Sequence, residues 1–179
     1  MSDSGIQDPD ACPAAVGEYA RQAVEYVDNA LGMVLEFDSD TLPVLDHYLR
    51  SVPEDEPALV ELVAVTSGAY FGEVVRRRLG GSWDLSSGDP STWRIVLPTG
   101  LSFSPAGVVA EAIAQADLEE MASGFDAPPK LRPHLEFALE RMGEVTLETY
   151  YSLCGRLDTL EHLQDVMLAV AATLAKRRS

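Results

Sequence analysis

The sequence predicts an α+β fold, in which a small antiparallel sheet (a three-strand meander plus a later strand) packs against several helices, one of them long and central. Three observations predict it. The stretch from Glu56 to Trp83 has helical spacing over many turns. From Trp83 to Phe103 the apolar period changes to two, with turn residues at both breaks. Helical patterns precede and follow that run, which places helices against a sheet.

In chain order, residues 1–11 carry few apolar groups and read as a flexible arm, with 12–179 as a single α+β domain. Val16, Tyr19, Ala20, Ala23, Val24, Val27, Ala30 and Leu31 form an inward stripe on a helix from about Pro13 to Leu31, with Gly32 as its stop. Val34 to Phe37 alternate, so a short extended piece is expected there. Asp38, Ser39 and Asp40 are cap candidates for a second helix to Ser51, with Leu42, Leu45 and Leu49 facing in.

The central helix has Leu59, Leu62, Val63, Thr66, Tyr70, Val74 and Arg77 on one face, and Val60, Ala64, Ser67, Phe71, Val75 and Leu79 widen its apolar girth. It is therefore expected to be covered on more than one side. Pro57 suits a first helical turn. Glu54 to Glu56 and Arg76 to Arg78 match the two ends of the dipole, and Gly80-Gly81 is a stop. Gly68 and Gly72 each cost about 1 kcal/mol in a helix interior. Four residues apart, they share a face where another backbone can approach closely.

Trp83 and Leu85, then Trp93, Ile95 and Leu97, then Leu101 and Phe103 predict three strands joined by turns at Ser86–Ser91 and Pro98–Gly100. Ser104-Pro105 opens a helix to about Met121, and His134 to Met142 reads as a short helix. Val145, Leu147, Thr149, Tyr151 and Leu153 alternate, which predicts the fourth strand. Asp158 and Glu161 have capping-box spacing for a terminal helix to Lys176.

The net charge of −16 excludes nonspecific binding to nucleic acid or anionic lipid, both of which require basic surface. A protein partner with a basic surface suits it, although solubility alone also accounts for it. Cys12 and Cys154 form neither a disulfide framework nor a zinc motif. The acidic N-terminus is unlike a signal peptide, and no apolar run approaches the ~20 residues that cross a bilayer, so a cytoplasmic location is expected. Heavy Ala, Arg, Gly and Asp usage suggests a GC-rich bacterial genome.

No complete chemical constellation emerges. Cys154 with His162 has the residue types of a nucleophile and base, without a surrounding signature. Asp38, Asp40 and Asp46 lack the spacing of a calcium loop. Asp158, Glu161, His162 and Asp165 have helical spacing that could serve a metal, but without an HExxH motif a solvated polar face explains the set. No glycine-rich phosphate loop precedes a helix, and no cofactor is implied. Glu73 is either an ordinary helix ion pair with Arg76 or Arg77, or a carboxylate held inside or at a cleft by Tyr70 and an arginine. Trp83, Trp93, Phe103, Tyr150 and Tyr151 cluster on the expected sheet, as core or as a surface for a partner.

The segment GAYFGEVVRRRLGG followed by Trp83, with FDSDTLPVLDHYL upstream, resembles uncharacterised bacterial domains of unknown function. In those domains a Gly-x-Tyr-x-Gly-Glu helix likewise runs into a Trp-bearing strand. The resemblance covers the middle of the chain, implies a small α+β domain, and brings no activity or catalytic residues. The expected function is a non-enzymatic cytoplasmic protein-interaction module: an adaptor, regulatory or immunity-type protein. The alternative is a small enzyme or ligand-binding domain with a cleft around Glu73 and Tyr70. The candidate ligand or partner residues are Tyr70, Glu73, Arg77, Trp83, Trp93 and Tyr150.

Overall fold

The computed structural model describes residues 11–179, so the expected arm lies almost wholly outside the described residues. Seven helices surround a three-stranded antiparallel sheet of order β1-β2-β3. The helices are α1 (Ala14–Leu31), α2 (Leu42–Arg50), α3 (Pro57–Leu79), α4 (Pro105–Ala114), α5 (Arg132–Arg141), α6 (Leu147–Tyr151) and α7 (Leu153–Lys176). The strands are β1 (Ser82–Asp84), β2 (Arg94–Val96) and β3 (Ser102–Phe103).

Helix α3 lies between α1 and α4 and is buried from Val63 to Val75 on most of its girth. It begins with Pro57 in its first turn and ends at Gly80 in the left-handed conformation, whose amide donates to the Arg76 carbonyl at 2.8 Å. By length and composition α3 is long and apolar enough to cross a bilayer, contrary to the expectation that no run approaches that length. In this fold 67 % of its most apolar window is buried. It is the core helix of the structure.

Gly68 explains how α3 and α4 meet. A Cβ there would stand 2.6 Å from the Ala106 nitrogen and 2.7 Å from its Cα. The first turn of α4 therefore rests directly on the α3 backbone. Gly72, one turn on, makes room for the Trp83 ring instead. The register pairs Trp83 with Ile95 and Ile95 with Phe103, so these three share one face of the sheet. Ile95 and Phe103 are fully buried there, against the helices.

Four expected elements differ. Residues Val34–Phe37 are not a strand: Phe37 takes a positive φ of 59°, and its amide donates to the Tyr70 hydroxyl at 2.9 Å. The fourth α helix stops at Ala114, not Met121, with Gln115 left-handed at φ 54°. The chain must turn there because 122–126 run back beside β3: the Ser104 amide donates to the Ser123 carbonyl, and Ser102 and Asp126 exchange amide bonds. The fourth strand does not exist. Its residues form α6 and the start of α7, because Thr146 caps one helix and Ser152 the other through the Thr149 and Gly155 amides. Asp46 of α2 then accepts from the Leu153 and Cys154 amides at 2.7 and 3.2 Å, which fixes the start of α7 five residues before the expected cap at Asp158.

Replacing Gly68 by Ala is expected to destabilise the protein by about 2–3 kcal/mol, because the obstruction is backbone and cannot swing aside. Gly17→Ala in α1, where a Cβ meets nothing nearer than 3.8 Å, is expected to be neutral or stabilising. Urea midpoints of the two variants against the parent check both.

Candidate functional site

The six candidate residues fall into three places. Tyr70, Glu73 and Arg77 lie on α3, and β1 brings Trp83 to them. Trp93 lies apart, packed edge-on against Tyr19 of α1 at 5.8 Å. Tyr150 belongs to α6, on another side of the molecule.

The first group is a closed knot. Glu73 is 0 % exposed. Its Oε1 accepts from Arg76 Nε and Trp83 Nε1, both at 2.7 Å. Its Oε2 accepts from Arg76 Nη2 at 3.1 Å and Arg77 Nε at 3.2 Å. Burial alone would raise its pKa. The hydrogen bonds from Arg76 and Trp83, with the charges of Arg76 and Arg77, outweigh burial and hold it below the ordinary value. Tyr70 is also fully buried, and its hydroxyl serves the Phe37 amide and Thr41 Oγ1. Arg77 stacks over the Phe37 ring at 4.7 Å. Where a cleft was expected, Glu73 and Tyr70 are enclosed in a network that ties the end of α3 to β1 and to the loop before α2, with Arg77 at its exposed edge. Both arginines at helical spacing contact the carboxylate, as the ion-pair alternative expected, and the carboxylate is also held inside the fold, as the other alternative expected, with Trp83 in place of Tyr70 as its aromatic partner.

The aromatic sheet surface is likewise interior. Trp93 is buried, Trp83 is half-buried against Gly72 and Phe103 is fully enclosed. Among the candidates Tyr150 is exposed at 46 %, and Arg77, at the edge of the Glu73 network, is exposed as well.

Cys154 does not have the environment of a nucleophile. Burial, then the Asp46 hydrogen bond and charge, push its thiol up to about 12. Burial and the Glu73 charge raise Cys12 as well. Among the described residues no group of His, Cys, Asp and Glu is arranged to hold a metal ion.

Around Tyr150, by contrast, the surface opens. A cavity of about 420 Å³ lies between α5 and α7, floored by Leu101 and Leu160 and flanked by Leu135, Leu139 and Leu163. Arg156 forms part of its wall, with its guanidinium carbon 4.5 Å from the Tyr150 ring centre and 5.4 Å from that of Phe125. On the other flank of α5, Phe137, Ala138 and Met142 face Val166 and Val170 of α7 across a second hollow of about 540 Å³. Of the twelve large hydrophobic residues exposed among those described, eight lie between Phe137 and Leu174: Phe137, Leu139, Met142, Val145, Leu147, Tyr150, Leu168 and Leu174.

Sequence reasoning missed this region apart from Tyr150. One signal was legible. From Lys130 onward the chain has seven Lys or Arg against seven Asp or Glu, so the whole −16 falls on residues 1–129. The Arg156 environment had no such signal, since Phe125, Tyr150 and Leu101 meet it only through the fold. No family model, curated protein or solved structure matches the chain. The resemblance of the GAYFGEVVRRRLGG segment therefore carries no residue roles onto this site.

Two outcomes follow from the closed knot and the protected thiol. Because the pKa of Glu73 is lowered in the fold, its stabilisation is complete above its ordinary value of 4.5 and is lost as pH falls through the lower folded value. Glu73→Gln is expected to cost about 3 kcal/mol at neutral pH and to flatten the stability profile below pH 4.5, as read by denaturant unfolding across pH. Cys154, with a thiolate fraction on the order of 10⁻⁴ at pH 8, is expected to alkylate far more slowly than a free thiol. Mass spectrometry of iodoacetamide-treated protein measures that rate.

Proposed function

We propose that this protein is a non-enzymatic interaction module of the bacterial cytoplasm, an adaptor, regulatory or immunity-type protein, whose partner lays an apolar helix across α5 and α7. One observation carries the reading: most of the exposed large hydrophobics sit on a C-terminal stretch of chain without net charge, while residues 1–129 together carry −16. Scattered exposed hydrophobics need no explanation, but their concentration on a neutral surface of so acidic a molecule does.

The form of that surface favours a helix. The hollows on either side of α5 run along α7, and Phe137 and Met142 on one side and Leu139 and Tyr150 on the other offer seats for side chains at helical spacing. Its electrostatics favour a partner with basic flanks. The acidic body attracts such a partner over a Debye length, and the neutral face seats it without desolvating unpaired charge. Apolar contact then supplies affinity, and long-range charge supplies the encounter rate. A second copy of the chain has the same apolar helices but brings another −16, which opposes association.

An amphipathic Leu/Lys peptide helix is the direct probe. It is expected to bind about tenfold tighter than a Ser/Lys peptide of equal charge. Phe137→Glu with Leu147→Glu, both at exposed positions, is expected to abolish that preference. Equal binding of the two peptides would leave only nonspecific charge attraction and defeat the reading. Sedimentation velocity gives the other occupant its chance: a dimer that those substitutions dissociate would replace the partner with a second copy.

A further inference from the structure

We propose that the cavity beneath α5 binds an apolar monocarboxylate, with the Arg156 guanidinium holding its carboxylate and the leucine walls its hydrocarbon. The argument starts from the arginine. Its side chain is 8 % exposed, yet of its five N–H donors the structure engages one, from Nη2 to Glu111 Oε2 at 3.2 Å. Its Nε is buried without any partner. A buried guanidinium with idle donors is costly unless something accepts from it. Glu111 takes only that one bond from Arg156, while its other oxygen, Oε1, accepts from the Ser123 amide at 3.1 Å.

The rings of Phe125, Tyr150 and Tyr151 surround the guanidinium at 4.5 to 5.4 Å. They hold its plane by cation–π contact and remove competing water. Arg156 lines the apolar chamber, and a guanidinium in such a wall can recognise a carboxylate through paired hydrogen bonds. The chamber, at about 420 Å³, is of the size that encloses a small organic molecule.

The remaining charges narrow the class. Arg132 is at the cavity but already bound to Asp126 at 2.8 Å, and Glu136 also lines it. Asp126 and Glu136 would repel a second negative group, which selects a monoanion over a dicarboxylate. Arg156 itself disfavours an amine. The cavity is also one of the two hollows of the docking face, with Leu139 and Tyr150 in both, but the inference rests on Arg156 and not on that reading.

Decanoate, with decanol and decylamine as controls, tests it by isothermal titration calorimetry on the full chain. Decanoate is expected to bind, and decanol and decylamine about tenfold more weakly or not at all. Arg156→Gln alone would strand the buried Glu111, so the informative variant is Glu111→Gln with Arg156→Gln, which keeps an amide pair in place of the ion pair. That double variant, verified as folded by its thermal transition, is expected to lose the preference for decanoate over decanol. Leu139→Trp, which fills the chamber from a half-exposed position, is expected to weaken both ligands. Phe137→Glu with Leu147→Glu is expected to leave decanoate binding unchanged, which separates this site from the docking surface. Equal binding of decanoate and decanol, binding of neither, or a preference that survives the double variant would overturn the assignment.

Discussion

The close approach of α4 to α3 at Gly68 is the constraint on which the rest of the molecule depends. Pro105 and Ala106 occupy the volume a side chain would need, so the axis of α4 can start in only one place. From there Val108 and Val109, both fully buried, continue the core, and Glu111 is carried beneath Arg156 of α7. Gly72, one turn along α3, admits the Trp83 ring and so sets where the sheet begins. Two small residues thus locate a helix on one side and a strand on the other. The entropic penalty of glycine in a helix is offset by contacts no larger residue permits.

That geometry is why a fully buried carboxylate is tolerated at Glu73. The strand places the Trp83 indole nitrogen at one oxygen, while α3 itself supplies Arg76 and Arg77 at the spacings of three and four that reach back to it. An ion pair removed from water gains little unless every lone pair is satisfied. Here each oxygen accepts twice, and the network joins helix, strand and the loop at Phe37. The positive φ of Phe37 fits the same account. Its amide is held by Tyr70 and its ring by Arg77 and Tyr70, so the surroundings determine the conformation.

Much of the architecture was legible because it was written in local periodicity. α3 matches its expected bounds from Pro57 to Leu79, since its proline, arginines and glycine stop are read within the element. The meander is equally local, with its turns and alternation inside about twenty residues. The segment at Val145–Leu153 failed for the complementary reason. Its alternation was real, but Thr146, Ser152 and the distant Asp46 supply caps, and hydrogen bonds at two helix starts outweigh a short pattern of side chains. The site was less legible than the fold. Tyr150 was named for an aromatic strand that does not exist. Arg156 was passed over because nothing in the sequence says that Glu111, 45 positions earlier, lies beneath it.

The two buried arginine–carboxylate clusters show how such groups can be sorted when no relative guides the choice. Both are enclosed, and both link distant elements. At Glu73 the carboxylate's acceptor sites are all taken, two per oxygen, and its protein partners surround it. At Arg156 the count does not close: a fork of five donors meets one acceptor, beside an apolar chamber open to solvent. Burial and charge are the same in kind at both, so neither property separates structure from function. Hydrogen-bond valence does. A saturated cluster has no capacity left for a ligand, whereas an unsaturated one retains, in a place water reaches poorly, the directional donors that recognition requires.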